Sequence, residues 1–566
     1  MTPSRKLYST LTFVILLCVA TVWVQWFLAA RRTPLSFDDA YMFERYAHNI
    51  RAGLGMSWNL DGHHTYGPTS LLWAFCILVI SYLPFGMWTQ LVLASWLCAF
   101  AAVTAIAWAV ARNAQSPLFR GSTFRVLPWV VVPLSLTLGG TAILAKHATT
   151  GMETMLATAL LGGLCGLTLR WCRTEQVPSW TVGLLGFLTY LARPEAALVA
   201  MLLPALAFFL LPEKKQSLSR LIVALGTLFA LILAELAVCR AYFGTVVPLS
   251  VYMKGKHAYL GYRGVWHPEF LLAVFLAAMA VYLGLLVLLS TRADRKLLVV
   301  FLLPALAVFA YLGTVTQIMG FEARYYMPYA ALLIVPALLL LDARLVAREQ
   351  QGTENLPSLL SVRSLTFVVL VVALLGLSTE AAQNKLRHLE HHHREEYDDA
   401  DLAMAAAHPL PYVGWDTAMQ QVTDLLVAPL PKGVSVAATE VGYLGAAAPN
   451  ANVVDIAGLN DTEIALHGFD MQRFMKRKID LIWMPNSDYT QQRGVMFADP
   501  AFLAQYDLYA DAANYGLAIR KDSPFHAQIE AALARYWAVT YPGTRPEDFL
   551  VTHASWSGQH HMIYNE

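Results

Sequence analysis

Apolar residues run in blocks of about twenty along the first two-thirds of this chain, the length needed to cross a bilayer as a helix. The blocks fall near 9–30, 88–111, 126–145, 153–170, 219–241, 269–290, 297–315, 327–346 and 363–380. Two stretches depart from the template. Residues 70–86 are apolar but short and end in Pro84 and Gly86, and residues 179–211 are too long and are broken by Arg193-Pro194-Glu195. Further blocks follow the first one, so it reads as a retained helix rather than a cleaved signal.

Lys and Arg favour cytoplasmic loops. Short basic loops occur at Arg5/Lys6, Arg112/Arg120/Arg125, Arg170/Arg173, Lys214/Lys215/Arg220, Arg292/Arg295/Lys296 and Arg344/Arg348/Arg363. Placing all six inside requires that 70–86 does not cross and that 179–192 and 196–211 cross as two short helices around Arg193. The pattern then predicts eleven crossings, an inside N-terminus and an outside C-terminal region. The competing parity makes 70–86 span and 179–211 a single kinked helix, and it would leave Arg112, Arg120 and Arg125 outside. On the favoured topology the outer face holds a long first loop, 31–87, and smaller loops 146–152, 193–195, 242–268 and 316–326. Residues 70–86 become an interfacial helix, with Trp73 and Trp88 at headgroup depth.

Beyond residue 380 the long blocks stop. Runs at 434–438, 452–456 and 480–484 are β-like, 403–407 and 528–537 look helical, and Pro409, Pro411, Pro429 and Pro431 punctuate the start. The expectation is a transmembrane domain over 1–380 and a soluble mixed α/β domain over 381–566.

Composition agrees and adds a division. The chain has 566 residues, 57% hydrophobic and only 14% charged, against about a quarter charged in soluble chains. Its net charge of +1 conceals two opposed parts: residues 1–380 carry 27 basic against 16 acidic side chains (+11), and residues 381–566 carry 13 against 23 (−10). This excludes a disordered chain and a nucleic-acid binder working through bulk positive charge. It points to a multi-pass protein of the inner (cytoplasmic) membrane with an extracytoplasmic C-terminal domain. The six cysteines lie in or beside apolar runs, which argues against a disulfide framework or a zinc site.

The first loop carries the most informative stretch. Ala40, Phe43, Ala47 and Ile50 follow helical spacing, Ser36 or Asp38 can cap the start, and Gly53 and Gly55 end it. Asp38-Asp39 therefore sits at the start of an amphipathic helix, where the dipole favours negative charge. Adjacent helical residues point about 100° apart, so one carboxylate faces a given reacting atom while the other caps the helix, orients its neighbour or helps hold a cation. The loop continues through Trp58, Asn59, Asp61, Gly62, His63, His64, Tyr66, Gly67 and Pro68, and Thr69 or Ser70 can cap the interfacial helix. The adjacent histidines, like His391–His393 and His560-His561, lack a spaced third ligand and are weak evidence for metal.

The ordered set Asp38-Asp39-Ala40-Tyr41, Arg45-Tyr46-Ala47, Asn49, Gly53, Gly55, Trp58-Asn59, Tyr66-Gly67, Thr69-Ser70 and Trp73 resembles the first loop of GT-C membrane glycosyltransferases. It looks most like the branch of terminal arabinofuranosyltransferases. Further segments are similar in matching order: Thr150-Gly151-Met152-Glu153-Thr154, Ala192-Arg193-Pro194-Glu195, Tyr242 to Gly244 with Pro248 and Lys254, Arg324-Tyr325-Tyr326 with Pro328, and Val454-Asp455 with Gly458-Leu459. The departure is Thr150, where the branch more often has Ser. The resemblance implies a GT-C fold, a polyprenyl-phosphate sugar as donor, a site at the outer membrane surface, and a first-loop acid, Asp38 or Asp39, as the catalytic group.

The residues themselves suit that chemistry. A glycosyl phosphate already carries a good leaving group, so one carboxylate can deprotonate the acceptor hydroxyl while cations take the charge left on phosphate. Both an inverting and a retaining route are compatible with the sequence. Arg45, Arg193, Lys254 and Arg324 lie outside against the charge bias, and an intramembrane or interfacial cation needs a partner; a lipid-linked phosphate is one. Each also has a plainer reading, Arg193 with Glu195 or Glu153 and Arg324 with Glu322. Glu153, Trp58, Asn59, Tyr66 and His63 are candidates for contacting sugar or acceptor, and Asp39 with Glu153 for sharing a divalent cation. The expected acceptor is an envelope glycan or a surface protein such as a pilin. The rivals are a lipid-linked-sugar flippase, which would predict internal symmetry, and a non-catalytic assembly protein, for which eleven crossings far exceed the need for an anchor.

Overall fold

The computed structural model describes residues 37–127, 130, 147–212, 217–255, 292–315, 324–350, 410–411, 413–486, 489–509 and 512–551. The expected helices at 9–30, 269–290, 363–380 and 403–407, most of 126–145, the boundary near 380 and the histidine runs at 391–393 and 560–561 lie outside them.

The first loop folds into two helices, α1 (Asp39–Arg51) and α2 (Leu71–Ile80). Ala40, Phe43 and Ala47 bury one face of α1, as their spacing predicts. Ser70 caps α2 by accepting from the Trp73 amide at 3.1 Å. Ten residues of α2 rise only about 15 Å, half the hydrocarbon thickness of about 30 Å. Phe75, Val79, Tyr82, Leu83 and Phe85 are exposed along and after it.

The apolar blocks become α3 (Met87–Asn113), α4 (Thr154–Arg173), α5 (Ser179–Ala192), α6 (Ala197–Leu210), α7 (Leu218–Phe243), the short α8 (Leu249–Gly255), α9 (Arg292–Leu312) and α10 (Ala331–Gln350). Among the described residues, five helices are long and apolar enough to cross a membrane: 87–113, 154–173, 218–243, 295–312 and 327–347. The apolar core of the bundle runs through α3, α4, α6, α9 and α10. By contrast α7 turns Ile222, Phe229, Leu233 and Val238 outward, as a helix facing lipid does.

The break at Arg193-Pro194-Glu195 is a reversal. A Cβ on Gly186 would touch the Ala200 Cβ at 3.2 Å; each residue lies seven positions from Arg193. Thus α5 and α6 fold back on each other as an antiparallel hairpin, with a 3-10 turn (Pro194–Ala196) between them. Gly183 brings α5 onto α7 so closely that a Cβ there would lie 2.2 Å from the Ala224 carbonyl oxygen, the small-residue contact usual between membrane helices.

The predicted outer and inner loops gather at opposite poles. At one pole Asp342 accepts from the Gln115 and Ser116 amides (2.7 and 2.9 Å), Arg173 donates to the Asn113 carbonyl (2.6 Å), and Arg220 donates to the Trp171 carbonyl (2.7 Å). Segments from all five predicted outer loops line one cavity at the other pole.

The C-terminal domain is α/β. Its elements are α11 (Trp415–Gln421), β1 (Ser435–Ala438), α12 (Gly442–Ala447), β2 (Asn452–Asp455), α13 (Thr462–His467), α14 (Met471–Lys476), β3 (Leu481–Trp483), α15 (Thr490–Ala498), α16 (Pro500–Gln505), β4 (Tyr506–Tyr509), β5 (Leu517–Arg520) and α17 (His526–Thr540). The sheet order is β2-β1-β3-β5-β4. The first three strands are parallel and the last two join antiparallel. Chain order reverses at β1, with β2 on one side and β3 on the other, the place where open α/β sheets present their loops to a partner. The segments leaving β1 and β2 both reach the first loop of the membrane body.

Candidate functional site

The cavity, about 190 Å³, is walled by α1 (Asp39, Met42, Phe43), by Gly67–Thr69, by Met152 and Glu153 before α4, and by the hairpin turn 192–195. Ser250 and Val251 of α8, the end of α9, Arg324-Tyr325, and Leu459-Asn460 of the C-terminal domain complete it.

Backbone geometry sets these side chains. Gly151 (φ +75°) lets the segment before α4 press against α1, where a Cβ would meet Ala40 at 3.0 Å. Trp73 pins that segment by donating to the Gly151 carbonyl at 3.0 Å. Glu153 is thereby buried at the head of α4, and it receives two guanidiniums. Arg193 Nη1 donates to its Oε1 at 3.0 Å, and Arg324 Nη2 donates to Oε1 and Oε2 at 3.3 and 3.4 Å. Burial raises the pKa of Glu153, but Arg324 and Arg193 outweigh it and leave the carboxyl below its usual range. Arg193 also donates to Glu195 at 2.6 Å and lies over the Tyr325 ring. Both plain ion pairs expected for Arg193 are therefore made.

Arg324 is different. It is buried, yet its Nε and Nη1 make no hydrogen bond among the described residues. Its Nη1 stands 4.0 Å from Asp39 Oδ2. Buried donors without acceptors are costly, and Arg324 lines the cavity. Arg324 also spans Asp39 and Glu153, which places a protein cation where those two acids would otherwise share a divalent one.

The acidic pair divides. Asp39 lines the cavity with its side chain 26% exposed. Asp38 is buried and turned away, accepting from the Gly442 and Tyr443 amides at 2.6 and 2.7 Å. It occupies the N-cap position of α1 but makes no cap hydrogen bond there; Ser36, the other cap the sequence offered, lies outside the described residues. Burial pushes its pKa up to about 6, with the two amides pulling the other way and Asp39 adding to the rise.

Several expected site residues lie elsewhere. Arg45 is fully buried between α1 and the C-terminal domain, not in the cavity. It donates to the carbonyls of Trp58, Gly445 and Ala451 (2.5, 2.6 and 2.8 Å) and to Asn59 Oδ1 (3.2 Å). Main-chain carbonyls thus supply the partner expected from phosphate. Trp58 donates to the Val453 carbonyl at 2.9 Å and lies under Arg45. Asn59 accepts from the Val453 amide at 2.7 Å and donates to its carbonyl at 3.1 Å, as a neighbouring strand would. Tyr66 donates to Glu235 at 3.0 Å and stacks on Phe243. His63 is exposed in a turn closed by Asp61. Lys254 falls in α8, and its side chain lies outside the described residues.

The cavity also recruits Glu195, read in the sequence as a partner of Arg193, and two residues that no sequence signal singled out, Ser250 and Asn460. Ser250 follows Pro248 in α8, which the Tyr66 carbonyl anchors by accepting from Leu249 at 2.8 Å. Its buried hydroxyl has no partner among the described residues. Asn460 accepts from Tyr46 at 3.0 Å, and Gly67 leaves room for both, since a Cβ would lie 2.2 Å from Asn460 Oδ1.

Residues 411–543 match the model of a domain of unknown function, DUF8728. No curated protein matches the chain.

Proposed function

We propose that the protein is a GT-C-type integral-membrane glycosyltransferase. It moves a sugar, arabinofuranose by family resemblance, from a polyprenyl-phosphate donor to a hydroxyl of an envelope glycan or a surface protein such as a pilin. The observation that carries the reading is Asp39 beside a buried Arg324, two of whose nitrogens make no hydrogen bond among the described residues, on the wall of one cavity at the outer-loop pole. In this reading the cavity opens on the extracytoplasmic face of the cytoplasmic membrane, and the α5–α6 hairpin and short α2 support the eleven-crossing topology.

Asp39 accepts the proton of the acceptor hydroxyl as the acceptor oxygen bonds to the anomeric carbon. The bond from that carbon to the phosphate oxygen breaks, and its electron pair leaves with polyprenyl phosphate. Arg324 donates to the oxygen that gains charge, in a site sheltered from water. Glu153, itself bonded to Arg193, holds Arg324 in place. No group between Asp39 and Arg324 is needed for the balance of charge.

Reconstituted protein tests this with polyprenyl-phosphate arabinofuranose and a hexose counterpart, reading sugar transfer and release of polyprenyl phosphate. Asp39→Asn is expected to lower the rate by about 10² to 10⁴, the range for a general base. Transfer by Asp39→Asn at the wild-type rate would overturn the mechanism. Movement of the donor across vesicles without transfer would make the protein a flippase. Mass spectrometry of envelope glycans and surface proteins from a deletion strain identifies the sugar: a missing pentose supports arabinofuranose, and a missing hexose removes that assignment.

A further inference from the structure

Helix α12 of the C-terminal domain is held at both ends by side chains of the first loop. Its first two amides donate to Asp38, at 2.6 and 2.7 Å. At its other end the Gly445 and Ala448 carbonyls, with Ala451 just beyond, accept from Arg45 at 2.6, 3.5 and 2.8 Å. Asp38 and Arg45 are seven residues apart, about two helical turns, and α12 has six residues. The two helices thus lie side by side, with an acid at the amide end of α12 and a guanidinium at its carbonyl end, the arrangement its dipole favours. Two glycines permit the approach. A Cβ on Gly442 would lie 1.9 Å from the Asp38 carbonyl oxygen, and one on Gly445 would lie 2.8 Å from Arg45 Cδ. Asn59 adds a third tie by pairing both main-chain groups of Val453 on the edge strand β2.

We propose that Asp38 is a positioning residue, and that the C-terminal domain, through α12, sets where Asp39 stands in the cavity. Asp39 is the next residue in the first turn of α1, and among the described residues no side chain caps that turn. The first turn of a helix frays when nothing outside it satisfies or anchors it. Here the anchor is the pair of amides on Asp38, 404 and 405 residues along the chain. The same domain puts Leu459 and Asn460 on the cavity wall, so the domain forms part of the site it positions. With both oxygens engaged and the residue 4% exposed, Asp38 is not placed to meet an acceptor hydroxyl. The kinetic consequence rests on the transferase reading; the contact itself does not.

The first amides of a helix have no intrahelical acceptor, so slow hydrogen exchange at Gly442 and Tyr443 reports on Asp38 directly. Full-length protein in nanodiscs is compared as wild type, Asp38→Asn, Asp38→Ala and Asp39→Asn, by hydrogen exchange and by transfer kinetics. Asp38→Ala is expected to lose protection at 442–443 and to lose roughly 10²-fold in kcat, the effect of an ångström-scale misplacement, with the donor KM held within about twofold. Asp38→Asn keeps one acceptor oxygen and is expected to fall between Ala and wild type in both readouts. Asp39→Asn is expected to keep the protection and lose the rate. Equal inactivity of Asp38→Asn and Asp38→Ala beside an active Asp39→Asn would make Asp38 the base and overturn the proposal. Protection retained in Asp38→Ala, or protection lost with kcat unchanged, would also overturn it. Absence of sugar transfer by the wild-type protein overturns the transferase reading instead. Should Asp38→Ala fail to fold, Gly442→Ala breaks the same contact from the other side with the carboxylate intact, and the same kinetic split is expected.

Discussion

Arg324 Nη1 and Asp39 Oδ2 face each other across 4.0 Å, while Nη2 of the same guanidinium is committed to Glu153 at 3.3 Å. Among the described residues, Arg324 Nε and Nη1 make no hydrogen bond. Arg324→Gln keeps polar bulk but removes the charge and the fork. Losing one donor to a developing anion typically lowers kcat by about 10² to 10³, and a loss of this size is expected. Arg324→Lys restores charge without two-pronged geometry and should recover only part of it. Turnover of a polyprenyl-phosphate sugar measures both. A wild-type rate in Arg324→Gln would mean that the unbonded edge has another purpose.

Arg45 makes the opposite prediction from a phosphate ligand. Its donors satisfy the Trp58, Gly445 and Ala451 carbonyls inside the contact between α1 and the C-terminal domain. Asn49 also donates to the Trp58 carbonyl at 3.2 Å, so Arg45→Met would take this donor chiefly from the buried Gly445 and Ala451 carbonyls, at about 1 kcal/mol or more each. The expected result is a lower melting temperature and folded yield, with the donor KM of the surviving protein unchanged. A normally folding variant with a raised donor KM would restore Arg45 to the donor site.

The reversal at Arg193 sets topology. With Gly186 against Ala200, the residues before α5 and after α6 share a side, and Arg193 to Glu195 lie on the other. Single cysteines at Ser179 and Leu211, in a cysteine-free background, should label together with a membrane-impermeant reagent applied to one face. A cysteine at Glu195 should label only from the opposite face. Labelling of 179 and 211 from opposite faces would mean a single kinked crossing.

The helical blocks, the turn at Arg193 and strands β1 to β3 are legible because each depends on local pattern: length, Pro and Gly punctuation, or a β-branched run. Strands β4 and β5 were not; β4 follows α16 without a turn signal. The acidic pair was legible as a helix start that exposes one acid. Which one it exposes depends on amides at 442 and 443, and no local signal carries that. Arg45 broke the charge bias and so announced a buried partner, but a set of carbonyls and a phosphate ask the same of an arginine. Arg193 and Arg324 broke it in the same way, and only the cavity wall separates them from Arg45. Ser250 had no signal at all, because a serine after a proline turn is ordinary loop chemistry.

Three buried carboxyls, Asp38, Glu44 and Asp455, are all raised by burial, to about 6, 8 and 7. For Asp38 the Tyr443 and Gly442 amides oppose the rise, for Asp455 the Asn460 side chain does, and for Glu44 the charge of Arg51 does. An acid with a raised folded pKa holds its proton in the native state at pH values where the unfolded chain has released it. Stability from such a group is therefore greatest below its unfolded pKa and declines as pH rises to the folded pKa. Glu44 offers the cleanest test, because its Oε1 is buried with no hydrogen-bond partner among the described residues. Glu44→Gln keeps the shape and removes the titration. At pH 5 the variant and wild type should melt close together. Between pH 5 and 8 the native wild type keeps a proton that its unfolded chain releases, so Glu44→Gln should become the more stable by a few °C, each pH unit crossed being worth up to about 1.4 kcal/mol. Thermal unfolding of the detergent-purified protein across that range gives the difference curve. A difference independent of pH would show that Glu44 ionises in the folded protein as it does in the unfolded chain.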